Sequence, residues 1–370
     1  MHPTLNPSRK LRGPLLALLG TLVIGQTQST FAQGCVASRG AGTTPIHGMD
    51  FNDEGALPPE SGFQASVGYR WLNSDRHFVH DVEQTQRETA GDQVINRSNF
   101  IDLGLTYAFT PRYSATVTVP FAIHDRSQVI KSNDVSRTIL DRFHTQSAGL
   151  GDIRMEGNMW ILDPKKYVKG NALIGLGVSA PTGDRDAQDT FGSFDAASKK
   201  IIATRKAVDQ SIQLGNGGWG ITLDLYAYRE IIPRLNYYVN GSYTITPEES
   251  YTPTGAGRDY SIGDSYMGRT GLEYLVWPKH SLTFSLGGRI EGVPVHDLIG
   301  GAAGFRRPGY AVSIEPGIGI AYKTWYFSIN TPVALYRNRE QSIPDKASGN
   351  PGGDAAFADY VVLASLAKRF

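Results

Sequence analysis

From Tyr360 to Phe370 apolar side chains fall on every second position: Tyr360, Val362, Ala364, Leu366 and Phe370 share one parity, interrupted by Lys368. That period belongs to a strand with one apolar face. Eleven more segments alternate in this way, so the pattern predicts twelve strands. The first runs from Gly62 to Asn73, with Phe63, Ala65, Val67, Tyr69 and Trp71 on one face and Gln64, Ser66 and Arg70 on the other. The fourth, Asp152 to Ile161, sets Ile153, Met155, Met159 and Ile161 against Asp152, Arg154, Glu156 and Asn158. Soluble sandwiches alternate too, so the pattern alone leaves the solvent of the apolar face open.

Loop lengths decide it. Long connections cover roughly 74–95, 125–147, 183–216, 247–259, 292–309 and 337–354, and short ones sit at 110–112, 163–169, 231–233, 277–280 and 322–324. Strict long and short alternation is the meander of a bacterial outer-membrane barrel with short periplasmic turns and long extracellular loops. The expected fold is all-β, a 12-stranded antiparallel transmembrane β-barrel over 62–370. An even strand number lets such a meander close with both ends on one side. The last strand resembles the C-terminal strand of bacterial outer-membrane barrels, where a terminal Phe is the usual mark for the barrel assembly machinery, here Phe370.

The lipid face then includes Tyr113, Val117, Val119, Phe121 and Ile123 on strand three, Trp219, Ile221, Leu223 and Leu225 on strand six, and Trp325, Phe327, Ile329, Val333 and Leu335 on strand eleven. Aromatic residues near strand ends, such as Tyr69, Tyr107, Tyr113, Trp277 and Trp325, suit girdles at the lipid headgroups. Outer-membrane lipids are therefore expected partners.

The opposite parity carries charges that no soluble core would bury unpaired. The pore-lining candidates are Arg70, Asp102, Asp152, Arg154, Glu156, Asp224, Arg269, Glu273, Arg289, Glu291 and Glu315. They form either a structural lattice that braces the wall or a selectivity device. The excess of acids favours cations or neutral solutes. Strand five faces inward with Asn171, Gly175, Gly177 and Ser179, which leaves space. In the third long loop Ile201, Val208 and Ile212 fall at helical spacing beside Lys199, Lys200, Arg205 and Lys206. This spacing predicts a short helix that either narrows the pore or lies on the surface.

At the other end of the chain Arg9, Lys10 and Arg12 precede the apolar run Leu15 to Gly25, too short to span a bilayer as a helix. The reading is a signal peptide over 1–32, cleaved after Ala32, then a periplasmic extension over 33–61. Cys35, the single cysteine, follows Gly34 and leaves lipidation open, although Ala32 rather than Leu stands three positions before it. The localisation expected is the bacterial outer membrane, after export to the periplasm.

Removing the signal takes three cations and no anions from 36 Lys plus Arg against 35 Asp plus Glu, so the mature chain is near neutral. With no basic stripe, nucleic acid is not an expected partner. Gly at 42 residues, with 18 Tyr and 15 Phe, agrees with β structure. Asp184, Asp186 and Asp189 lack the Gly and distal Glu of a calcium loop, and His77, His80, His124 and His144 are scattered loop histidines. No metal, cofactor or catalytic residue is expected. The His-x-Ser-Asn-Gly motif of twelve-stranded outer-membrane phospholipases does not occur, so the chain is not read as an enzyme.

Three motifs carry a family resemblance: Gly149-Leu150-Gly151-Asp152, Pro181-Thr182-Gly183-Asp184, and Gln213-Leu214-Gly215-Asn216-Gly217-Gly218-Trp219. In order and spacing the chain resembles the bacterial outer-membrane family labelled by the meta pathway of phenol degradation. The resemblance implies an outer-membrane barrel with transport of hydrophobic or aromatic compounds, and it carries over no catalytic residue. The function expected is a channel for passive transport of small solutes, hydrophobic or aromatic among them. The alternative is a non-conducting surface protein whose extracellular loops bind partners.

Overall fold

The computed structural model describes residues 61–349 and 353–370. The stretches read from the sequence as a signal peptide and a periplasmic extension, with Cys35, lie outside the described residues as far as residue 60. The wall strands are β1 (Gly62–Val79), β2 (Ile95–Ala108), β3 (Tyr113–Lys131), β4 in two pieces (Ile139–Leu150 and Arg154–Trp160), β5 (Gly170–Ser179) and β6 (Gly220–Ile232). They continue with β7 (Leu235–Ile245), β8 (Ser265–Trp277), β9 (Leu282–Val293), β10 (Gly309–Tyr322), β11 in two pieces (Trp325–Asn330 and Val333–Arg339) and β12 (Ala355–Arg369). Each pairs antiparallel with its chain neighbours, and β1 pairs with β12 from Gln64↔Arg369 to Phe78↔Ala355, closing a twelve-stranded barrel. Closure removes the sheet edges that hydrocarbon does not tolerate.

Outward positions are the apolar ones. Val117, Phe121 and Ile123 on β3 and Ile221, Leu223 and Leu225 on β6 are exposed, while Thr222 and Tyr226 between them are buried inside. Leu223→Arg is therefore expected to lower the unfolding free energy by about 2–4 kcal/mol if it lies near the bilayer midplane. The urea midpoint in phosphatidylcholine vesicles would show the loss, and Val135→Arg on an exposed loop would leave it unchanged. Lys368, the break in the parity of β12, is explained by its position: its ammonium lies 5.1 Å from the Trp325 ring and 4.8 Å from that of Phe370. A cation over girdle aromatics at the short-turn rim reaches the headgroups rather than the hydrocarbon.

Two connections differ from the sequence reading. Residues 125–131 and 139–147, expected in a loop, continue β3 and β4 as a paired extension from Asp125↔Gln146 to Lys131↔Ile139. Their polar side chains read as loop because this part of the ladder stands beyond the apolar belt. In the third long loop the expected helix is absent: Gln188–Asp195 pairs with Lys200–Ala207 as a β-hairpin, followed by one 3-10 turn at Gln210–Ile212. The Asp195 carboxylate accepts from the backbone N–H groups of Ala197 and Ser198 and reverses the chain there, and the β-branched Ile201, Ile202 and Thr204 suit a strand.

Candidate functional site

The strands bring inward charges together in two groups, on arcs of the wall separated by β7. On β8, β9 and β10, Arg269 donates to Glu315 at 2.7 Å, and Arg289 donates to Glu315 at 3.4 Å and to Glu291 at 3.0 Å. Glu315 is 1% exposed. This arc is a filled lattice, and Glu273 beside it bonds Thr283. Arg70 is buried, with its guanidinium 4.0 Å from the Phe100 ring centre and Asp102 as a charge partner.

The other arc is open. Register places Glu156 opposite Gly177 and Asn158 opposite Gly175, and across β5 it places Gly177 opposite Thr222 and Gly175 opposite Asp224. Glycines on the central strand hold the wall back. Among the described residues, a cavity of about 130 Å³ opens here, lined by Arg154, Glu156, Asn158 and Asp224 and reaching Phe63, Arg112, Tyr113 and Arg369 at the short-turn rim. Its size is close to the ~150 Å³ that accepts one benzene ring in an engineered core. Trp160, Leu173 and Tyr226 form the next row toward the rim, with the Trp160 and Tyr226 rings edge to face at 6.4 Å.

Asp152 has a different task from that expected. It lies in the break between the two pieces of β4, where its carboxylate accepts from the N–H of Gly183 at 3.0 Å and of Asn216 at 2.6 Å. The Thr182 hydroxyl donates to the Gly151 carbonyl at 2.8 Å. The three sequence motifs thus meet in one knot. A Cβ on Gly183 would stand 2.7 Å from the Gly215 Cα, so this close approach needs glycine.

A further network escapes sequence reasoning. Asp209, at the foot of the loop-three hairpin, accepts from Arg307 at 3.0 and 2.9 Å and pairs with Arg126 at 3.5 Å. Burial disfavours its charge, yet Arg126 and Arg307 hold its carboxyl well below the usual carboxylate range. Gln210 donates to the Ser261 carbonyl at 2.7 Å, and the Ser147 hydroxyl donates to the Ile212 carbonyl. Val208 and Ile212 are fully buried, so residues 207–213 are tied into the long-loop end of the barrel. The one local signal was the apolar spacing of Val208 and Ile212, read as a helix; the partner Arg307 is 98 residues away.

The histidines and loop acids are spread through other contacts. His77 bonds Asp354 at 2.9 Å, His124 bonds Ser98 at 2.8 Å, His144 bonds Asp125 at 3.0 Å, and Asp186 accepts from Thr254. Among the described residues no three such side chains converge as a metal site.

The fold is similar to that of an outer membrane channel from Pseudomonas putida F1. The two chains are 12% identical, the match covers 84% of this chain and 96% of the other, and the TM-score is 0.56. At that identity the likeness shows the fold, an outer-membrane type of transmembrane barrel. Weaker likenesses reach the translocator domain of autotransporter NalP from Neisseria meningitidis (10% identity, 84% and 88% covered, TM-score 0.44) and the P. putida toluene transporter TodX (8%, 86% and 93%, 0.41), and at these scores they carry no argument. No protein-family model matches the chain, and none of the curated proteins does. The phenol-pathway resemblance therefore rests on its three motifs.

Proposed function

We propose that the protein is an outer-membrane channel for passive transport of small solutes, apolar or aromatic ones among them. The observation that supports this reading best is the cavity between β4, β5 and β6, walled by glycines and lined by Arg154, Glu156 and Asp224, which reaches the short-turn rim. In the proposed orientation that rim faces the periplasm and the loop network faces outward. Export by the N-terminal segment and recognition of Phe370 by the assembly machinery belong to the same reading. The Phe370 N–H donates to the Phe63 carbonyl at 2.9 Å, so the last residue continues the seam between β12 and β1.

Single-channel recording on the refolded mature chain tests it. Steady conductance that changes in Arg154→Ala and Glu156→Ala is the expected result. A silent bilayer from folded protein would reject an ion-conducting pore. The interlocked loops favour the second reading, a non-conducting surface protein, in that event.

A further inference from the structure

We propose that the lumen carries a binding subsite for a small organic ammonium, formed by Glu156, Asn158 and Asp224. The proposal deepens the channel reading by naming a solute class for its cavity. Three observations carry it. First, the side chains converge: an atom at the Cβ position of Gly175 would lie 2.7 Å from Glu156 Oε1 and 2.8 Å from Asn158 Oδ1. Asp224 stands directly across from Gly175 in the ladder.

Second, the charges call for a cation. The Glu156 and Asp224 carboxyls lie within hydrogen-bond reach of each other on the cavity wall, so their oxygens concentrate negative potential at one point and attract a cation there. Arg154 supplies one positive charge nearby. Arg112 and Arg369 border the cavity at its rim, where Arg112 donates to the Trp160 and Ile161 carbonyls.

Third, one acceptor is left over. Asn158 donates to Glu156, and its Oδ1 is buried without a partner while the residue, 8% exposed, lines the cavity. A buried acceptor without a donor costs free energy. An ammonium brings three donors and one positive charge, matching two carboxylates and an amide oxygen. The Trp160 and Tyr226 row one step nearer the rim gives an aryl substituent on that ammonium an apolar neighbour.

The test is calorimetric titration of the folded mature protein, in a nonionic detergent, with benzylammonium chloride and separately with benzyl alcohol. Saturable binding of the ammonium, at least tenfold tighter than the alcohol, is expected. Asp224→Asn, nearly isosteric, and Asn158→Leu, which removes the orphaned acceptor, are each expected to weaken it about tenfold, with folding checked by heat-modifiable gel mobility. Equal binding of alcohol and ammonium, wild-type affinity in both variants, or no binding by folded wild type would each overturn the subsite. So would displacement by equimolar potassium, which would make it an inorganic cation site. Conductance recorded on the same preparation separates the two readings. A conducting protein that binds no ammonium loses the subsite alone, and a silent protein that binds it loses the channel alone.

Discussion

Glu315→Ala is expected to lower the unfolding free energy by about 3–5 kcal/mol, the usual cost of removing one partner from a buried ion pair. Arg269 and Arg289 both donate to this carboxylate, and with it gone each loses an anionic partner inside the wall, Arg289 keeping Glu291 and Arg269 keeping Glu273 as a charge neighbour. Urea unfolding of the vesicle-inserted barrel would show the loss as an early midpoint. Replacing the whole lattice by apolar residues of similar volume is expected to cost far less, because desolvation of the ions then disappears with their attraction. A Glu315→Ala barrel as stable as wild type would mean that water reaches the arginines and the lattice braces nothing.

Asp209→Ala is expected to have an effect of the same size at the long-loop end of the barrel, and to change conductance as well. Its carboxylate holds Arg307 on two bonds and faces Arg126, so its loss leaves both cations buried and frees residues 207–213 from the loop network. About 3–5 kcal/mol of local stability is at stake, and conductance is expected to rise several-fold. Unchanged conductance in this variant and after deletion of 198–211 would show that loop three gates nothing. The pH dependence has a definite sign. The folded carboxyl titrates below its unfolded value of about 3.9, so its contribution is fully present above that pH and is lost as pH falls through the depressed folded value. Acid is expected to loosen the loop only below about pH 4.

How much was legible in the chain follows from which contacts are local. Met155 on the outer face and Glu156 on the inner one are sorted by alternation alone. The sorting failed at 125–131 and 139–147, where the ladder continues with polar residues on both faces because no lipid surrounds it. It failed again at 200–212, where of the three apolar residues at helical spacing Ile201 belongs to a hairpin paired with 188–195 through a turn set by Asp195, while Val208 and Ile212 are buried just beyond it. The inward carboxylates were legible as inward, with a bracing lattice or a pore lining as the two readings, but not which residue did which: Glu315 closes a lattice, Glu156 borders a cavity, and Asp152 ties loop backbones. Asn158 was visible on the inward face, yet nothing in its surroundings along the chain marked it.

The sequence by itself determined a barrel, its strand number, its lipid face and the rim that carries the short turns, because each depends on the period of two and on turn length, both set by near neighbours. Tertiary structure alone decided which inward charges meet. Asp209 finds Arg307, and Glu156 finds Asp224, only once register and closure have placed distant strands and loops side by side. Such pairings depend on the stagger accumulated around the whole wall, which no local pattern encodes.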